Sequence, residues 1–207
     1  MTKEILIIDY KVGNVQSVIK AVKNLGYSVI FSDDKKDLNK ARKIILPGQG
    51  SYDFAMKKLD DLDLSSILIN KSNKEGIPIL GICLGMQILS SKGFENCETN
   101  GLNLIPGNVK KLESKPNKIP HIGWNSLILK NFKNKILRNF SDSKDFYFLH
   151  SYFFDCEESK DVLGLTEYNQ KFPSLINRNN VYGAQFHPEK SLKNGMKILK
   201  NFLEIND

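Results

Sequence analysis

The chain has 207 residues, 41% of them hydrophobic, and a formal charge of +7. That length supports one substantial core and is short for two catalytic domains, so residues 1–207 are read as one domain. No apolar run reaches the length of a membrane span, and Met1-Thr2-Lys3-Glu4 leads into a short apolar stretch without a signal-peptide pattern, so a cytoplasmic protein with no membrane partner is expected.

The positive charge does not point to nucleic acid. Only Arg42, Arg138 and Arg178 among the 30 basic residues are arginine, and the lysines are spread along the chain instead of forming a stripe interleaved with aromatics. Cys83, Cys97 and Cys156 are an odd number with neither zinc nor disulfide-framework spacing, so reduced thiols and no metal or cofactor are expected.

From the N-terminus, Glu4 to Asp9 (EILIID) is a short apolar run. Val15, Val18, Ile19, Val22 and Leu25 follow at helical spacing, and Tyr27 to Phe31 is again strand-like. KIILP leads into a Gly-containing turn and a helical stretch marked by Phe54, Ala55, Leu59 and Leu62. IPILGIC then runs into LGMQILSS. Repeated βα units of this kind predict an α/β fold, a mostly parallel twisted sheet flanked by helices, with chemistry at the carboxyl ends of the strands. Between Gly101 and Asp145 the pattern loosens into Pro, Gly, Asn and Lys clusters, read as a small β-rich insertion. FYFL, VLGL, SLI and VYGAQF return as strands, and Leu192, Met196, Leu199 and Phe202 mark a closing helix.

Cys83 lies in Gly81-Ile82-Cys83-Leu84-Gly85, between an apolar run and a helical segment. The spacing is that of a nucleophile elbow, in which small residues on either side let a strand turn sharply into a helix and present the side chain between them. A sulfur at a helix N-terminus gains thiolate character from the free amides. Alone, GxCxG suits a packed core cysteine equally well. A thiol nucleophile also needs a base, and the chain offers His121, His150 and His187. His187 sits in GAQFHPE, where Pro188 fixes the backbone and Glu189 can accept the second ring N–H and hold the tautomer. A bare HPE also suits a surface histidine beside a solvated glutamate.

GICLGMQ together with FHPEKS resembles the class I (triad) glutamine amidotransferases. The resemblance implies a Cys83, His187, Glu189 triad and an oxyanion strand at Pro47-Gly48-Gln49-Gly50, with the N–H of Leu84 as second donor. DYKVGNVQSV (Asp9 to Val18), GLNLIPGNV (Gly101 to Val109), PHIGWN (Pro120 to Asn125) and YFLHSYF (Tyr147 to Phe153) are similar to the glutaminase subunits of imidazole glycerol phosphate synthase. That likeness implies that Gln87, Ser151 and Tyr152 hold L-glutamine, and that Trp124, Asn125, Tyr147 and Lys190 face a cyclase subunit in a heterodimer. Lys11 stands where the family usually carries glycine, and Gln49 where it usually has an aliphatic residue. Read without the family, Trp124 and Tyr147 are core or interface aromatics, His150 a structural histidine and Lys190 a solvated charge. Two other functions share these motifs: ammonia supply for an amidino-sugar pathway of surface polysaccharide, and a cysteine peptidase-like hydrolase.

Overall fold

The computed structural model describes residues 4–13, 15–130, 132–140 and 144–205; Asn14, inside the DYKVGNVQSV motif, and residues 1–3, 131, 141–143 and 206–207 lie outside the description. Strands β1 (Glu4–Ile8), β2 (Ser28–Ser32), β3 (Ile44–Leu46) and β4 (Ile79–Ile82) are separated by helices α1 (Gln16–Asn24), α2 (Lys35–Lys40), α3 (Tyr52–Asp61) and α4 (Ser65–Asn73). One helical turn, α5 (Leu84–Gln87), follows β4. Then come β5 (Lys92–Phe94), β6 (Glu98–Asn100), β7 (Gly107–Lys111), β8 (His121–Leu129), β9 (Lys144–His150), β10 (Tyr152–Cys156), β11 (Val162–Glu167), β12 (Lys171–Arg178), β13 (Val181–Ala184) and α6 (Leu192–Leu203).

Nine strands form one sheet in the order β2-β1-β3-β4-β13-β12-β11-β8-β9. The α/β reading holds, with a refinement: β2 through β13 in this order pair in parallel, while β12, β11, β8 and β9 continue antiparallel, so the sheet is mixed. The parallel half follows from its apolar runs. In β1, Ile5 and Ile7 pack into one core with Val18, Val22, Ile198 and Phe202, and Leu6 and Ile8 into a second with Leu38, Ala55, Met56 and Leu59. Period-two alternation therefore buries both faces under helices. Ile198, Leu199, Phe202 and Leu203 of α6 are fully buried, each contributing about 1.5–3 kcal/mol.

Residues 101–145 do not form a separate insertion. β7 joins β5, β6 and β10 in a four-stranded sheet, whereas β8 extends the main one. Pairing follows open strand edges, which are set by tertiary geometry, so a window of sequence does not reveal it. The helical marks also shift. Phe54 is exposed while Tyr52 and Met56 take the buried face of α3, and Leu192 is 72% exposed at the start of α6. Among the described residues no helix is long and apolar enough to cross a membrane.

Candidate active site

Parallel pairing of β13 with β4 aligns Ala184 with Ile82. Cys83 is the next residue after Ile82, and His187 comes three after Ala184. Register alone thus brings two motifs a hundred residues apart to the same strand ends, where the α/β topology leaves a crevice.

Cys83 has φ 54° and ψ −110°, a left-handed conformation that costs a non-glycine residue about 1–3 kcal/mol. Its surroundings enforce it. A Cβ on Gly85 would lie 1.8 Å from the Leu46 carbonyl oxygen, and one on Gly81 2.4 Å from the Gly85 oxygen, so both glycines are required by backbone contact. α5 is only four residues long. A macrodipole accumulates over several turns, so any stabilisation of the sulfur comes from nearby amides and side chains more than from a helix field. The Gln185 amide nitrogen lies 3.8 Å from the sulfur, and the sulfur 3.7 Å from the Leu149 carbonyl oxygen.

His187 is buried, and its Nδ1 is 2.9 Å from Glu189 Oε1; both side chains are only 3% exposed. The backbone holds the ring from two sides: His187 N–H donates to the Tyr147 carbonyl, and the Ser191 hydroxyl donates to the His187 carbonyl. Burial alone lowers the imidazole pKa, but the Cys83 thiol and the Glu189 carboxylate together raise it to about 9. Nε2 is buried and forms no hydrogen bond of normal geometry, so the ring couples to Cys83 electrostatically without a closed bond, as catalytic pairs often do before substrate binds.

Beside the sulfur is a cavity of about 300 Å³ lined by Gln49, Gly50, Cys83, Leu84, Gln87, Glu95, Leu149, His150, Ser151 and Tyr152. The expected oxyanion and substrate residues therefore gather around one space, apart from Gly48, which sits behind it. A Cβ on Gly48 would meet the Tyr10 hydroxyl at 2.4 Å, and that hydroxyl donates to the Pro47 carbonyl at 2.6 Å. Burial, and then the nearby Cys83, raise the Tyr10 pKa well beyond its usual range, so it remains a donor. Gly50 has φ +129°. Lys11 takes φ 62°, which accounts for the usual glycine there, and its ammonium pairs with Asp9 and Asp33.

Two residues at the site had no motif of their own to mark them. Among the described residues Glu95 is the one acidic side chain lining the cavity; its Oε2 accepts the Tyr52 N–H at 2.8 Å, and burial raises its pKa. Gln185 is fully buried within the GAQFHPE segment.

Trp124 and Tyr147 face each other across the β8–β9 ladder, with ring centroids 6.1 Å apart, and the Lys190 ammonium lies 5.9 Å from the Tyr147 centroid. Trp124 is 51% exposed, next to exposed Ile122 and Leu192. Asn125 lies elsewhere: strand alternation turns it from the Trp124 face, and its amide bonds the Glu167 carbonyl, His121 and the Ser126 N–H.

The model of the family "Glutamine amidotransferase class-I" matches residues 6–205. The chain is 43% identical over 201 residues to "Imidazole glycerol phosphate synthase subunit HisH 2" of Methanococcus maripaludis, covering 97% of this chain and 98% of the relative. It is 45% identical over 198 residues to "Imidazole glycerol phosphate synthase subunit HisH" of Bacillus mycoides, covering 96% and 93%. Among solved structures, "Structure of PurLQS from Thermotoga maritima" superposes with a TM-score of 0.79 at 20% identity over 100% of both chains, a likeness of fold. The chain therefore belongs to the class I glutamine amidotransferases, and among them to the HisH subunits of imidazole glycerol phosphate synthase.

Proposed function

We propose that the chain releases ammonia from L-glutamine through Cys83, His187 and Glu189 and delivers it to a cyclase subunit, which consumes it in forming imidazole glycerol phosphate in histidine biosynthesis. The observation that carries this reading is the meeting of a strained, glycine-locked Cys83, a His187–Glu189 pair and a cavity of about 300 Å³ at one strand end.

In this mechanism the proton shared by the Cys83–His187 pair rests on the imidazole, and the thiolate attacks the carboxamide carbon. Leu84 N–H and an amide of the Gly48–Gly50 segment stabilise the oxyanion. The imidazolium then protonates the leaving nitrogen, giving ammonia and a glutamyl thioester. Water, deprotonated by His187, hydrolyses the thioester to glutamate and restores the thiol. Glu189 holds the ring in the working tautomer. The Glu95 carboxylate suits the α-ammonium of glutamine, and Gln87 with the backbone of Ser151 and Tyr152 supplies polar groups for the remainder.

Ammonia released into water is protonated and lost as a nucleophile, so hydrolysis is useful only beside an acceptor. The surface of exposed Trp124, Lys190, Ile122 and Leu192 around half-buried Tyr147 supports docking of the cyclase there, one backbone hydrogen bond from His187. The names of the relatives favour this acceptor over an amidino-sugar pathway. We place the heterodimer in the cytoplasm, where thiols remain reduced. The test is glutamate release by the heterodimer. Cys83→Ala should abolish it while the far-ultraviolet circular dichroism is unchanged; retained turnover would sink the assignment.

A further inference from the structure

His121 and His150 are both buried, 2% and 6% exposed, and neither takes part in the chemistry above. His121 is stacked between Phe148, with centroids 4.8 Å apart, and Tyr168, at 4.1 Å. His150 Nδ1 lies 2.8 Å from the Tyr152 carbonyl oxygen. A carbonyl can only accept, so Nδ1 must carry the proton and Nε2, in a neutral ring, must be bare. That nitrogen is 3.1 Å from His121 Nδ1, which must therefore carry the proton there. His121 Nε2 is then bare and accepts from Asn125 Nδ2 at 3.3 Å. Both rings are held neutral by burial, which lowers His121 to about 4 and His150 to about 3. One carbonyl thus fixes every proton in the row, and the hydrogen bonds run one way from β8 to β10.

The order continues past the carbonyl. Tyr152 O also accepts Gln87 Nε2 at 2.7 Å, which fills both of its lone pairs. Gln87 Nε2 further donates to Gln185 Oε1 at 3.2 Å. Both amide hydrogens of Gln87 are spent, so what it offers the cavity is its oxygen, an acceptor. Gln185 Oε1 is an acceptor in turn, which leaves its nitrogen as the group 3.8 Å from Cys83 Sγ.

We propose that His121 and His150 are positioning residues: a hydrogen-bond row of fixed direction, from Asn125 to the Tyr152 carbonyl, that holds this carbonyl in place, so that the Gln87 amide donating to it keeps its oxygen toward bound glutamine and the Gln185 amide its N–H toward the nucleophile. The role rests on the glutaminase reading of the cavity. His150 borders the cavity, but both of its ring nitrogens are spent on His121 and the Tyr152 carbonyl, so the effect of the pair passes through Gln87 and Gln185. The row also starts on the strand that carries Trp124, so the wall of the cavity and the partner-facing strand share one chain of bonds.

Two measurements test this. Nitrogen-15 spectra of histidine-labelled full chain at pH 7 should show both His121 and His150 as Nδ1–H tautomers; an Nε2–H tautomer on His150 overturns the row. Kinetics of the heterodimer then separate positioning from packing. His150→Phe fills the space without a donor and should raise the glutamine KM about 5- to 10-fold, with a smaller change in kcat. His150→Asn puts an amide nitrogen where Nδ1 stood and should recover most of that loss. A KM unchanged in His150→Phe, or an asparagine variant as poor as the phenylalanine one, overturns the role. If the unaltered heterodimer releases no glutamate, the glutaminase reading fails and this role with it, while the tautomer spectrum still decides the row.

Discussion

The two backbone segments flanking the cavity are built to opposite standards. At the Gly81–Gly85 elbow, hypothetical Cβ atoms collide with backbone at 2.4 and 1.8 Å, and Cys83 sits in a conformation that only this crowding maintains. The Pro47–Gly50 segment is held tightly up to Gln49, whose backbone nitrogen would meet a Cβ on Gly13 at 2.7 Å, and loosens only at its end. Gly48 is pinned beneath the Tyr10 hydroxyl, but the nearest neighbour of a Cβ on Gly50 is Val12 Cγ1 at 3.7 Å, an ordinary contact. The proposed nucleophile is therefore fixed before substrate arrives, and room to turn is left only at Gly50, the end of the segment meant to face the oxyanion. A glutaminase that must fire only beside its acceptor can place the control in the loose segment and leave the thiol untouched.

The largest effects should come from breaking the rigid side. Gly85→Ala drives a methyl into the Leu46 carbonyl, so the elbow must open or the strand ends must part. We expect a loss of more than about 4 kcal/mol in urea unfolding, or no folded protein. Gly50→Ala meets no wall, but an L residue is strained at φ +129°, which costs about 1–3 kcal/mol. It should leave Cys83 reactive while lowering acceptor-stimulated turnover. If the two substitutions cost the same stability, the contrast between the segments is false.

Next is His187→Ala, which removes base and acid together and should lower kcat by about 10²–10⁴-fold. The raised pKa has a further consequence. A group lifted from 6.5 to about 9 in the folded state adds stability that is complete below pH 6.5 and lost as pH rises through 9. The stability advantage of the natural chain over His187→Gln should therefore shrink between pH 7 and 9.5, followed by urea midpoints. A constant difference would mean that Glu189 and Cys83 do not hold the imidazolium.

Smaller effects belong to the exposed cluster. Trp124→Ala and Lys190→Ala should weaken assembly with the cyclase by about 1–2 kcal/mol each, as expected when an aromatic anchor, or the cation over the neighbouring Tyr147 ring, is truncated. The rate of Cys83 alkylation in the isolated chain should barely change. Titration calorimetry reads the first and mass spectrometry the second.

What was legible in the sequence follows the same division. The elbow and the HPE segment were visible because their constraints are largely local: Gly81 answers a contact within the turn, although Gly85 makes room for the Leu46 carbonyl of β3, and Glu189 reaches His187 from two residues away. The parallel half of the sheet was visible because burial on both faces writes continuous apolar runs such as IPILGI. The antiparallel half was harder. β8 reads HIGWNSLIL, and its exposed Ile122 and Trp124 obscure the alternation that defines it. Glu95 was invisible, since it reaches the cavity only because β5 and β6 form a hairpin against β7, a pairing that no local pattern encodes. The order of protons in the His121–His150 row depends on a carbonyl that the fold alone brings near.

The last prediction changes no residue and concerns the three thiols. Reading the chain as sequence, one expects Cys83 to be the exposed and reactive cysteine. The structure reverses the exposure: Cys83 is 6% accessible, Cys97 is exposed, and Cys156 is partly buried with its thiol pushed up to about 12 by burial and by Asp161 and Asp155. A small unselective alkylator should therefore label Cys97 first, because access decides when no site recognises the reagent. A glutamine-shaped electrophile should invert the order. Its ammonium and carboxylate are recognised only in the cavity, where the electrophilic carbon is held against the Cys83 sulfur, and proximity of that kind outweighs exposure by orders of magnitude. Cys156, mostly un-ionised at neutral pH, should react with neither. Peptide mapping after each reagent decides the matter. If the glutamine-like reagent also marks Cys97 first, the cavity does not recognise glutamine, and the rigid elbow presents a thiol to an empty pocket.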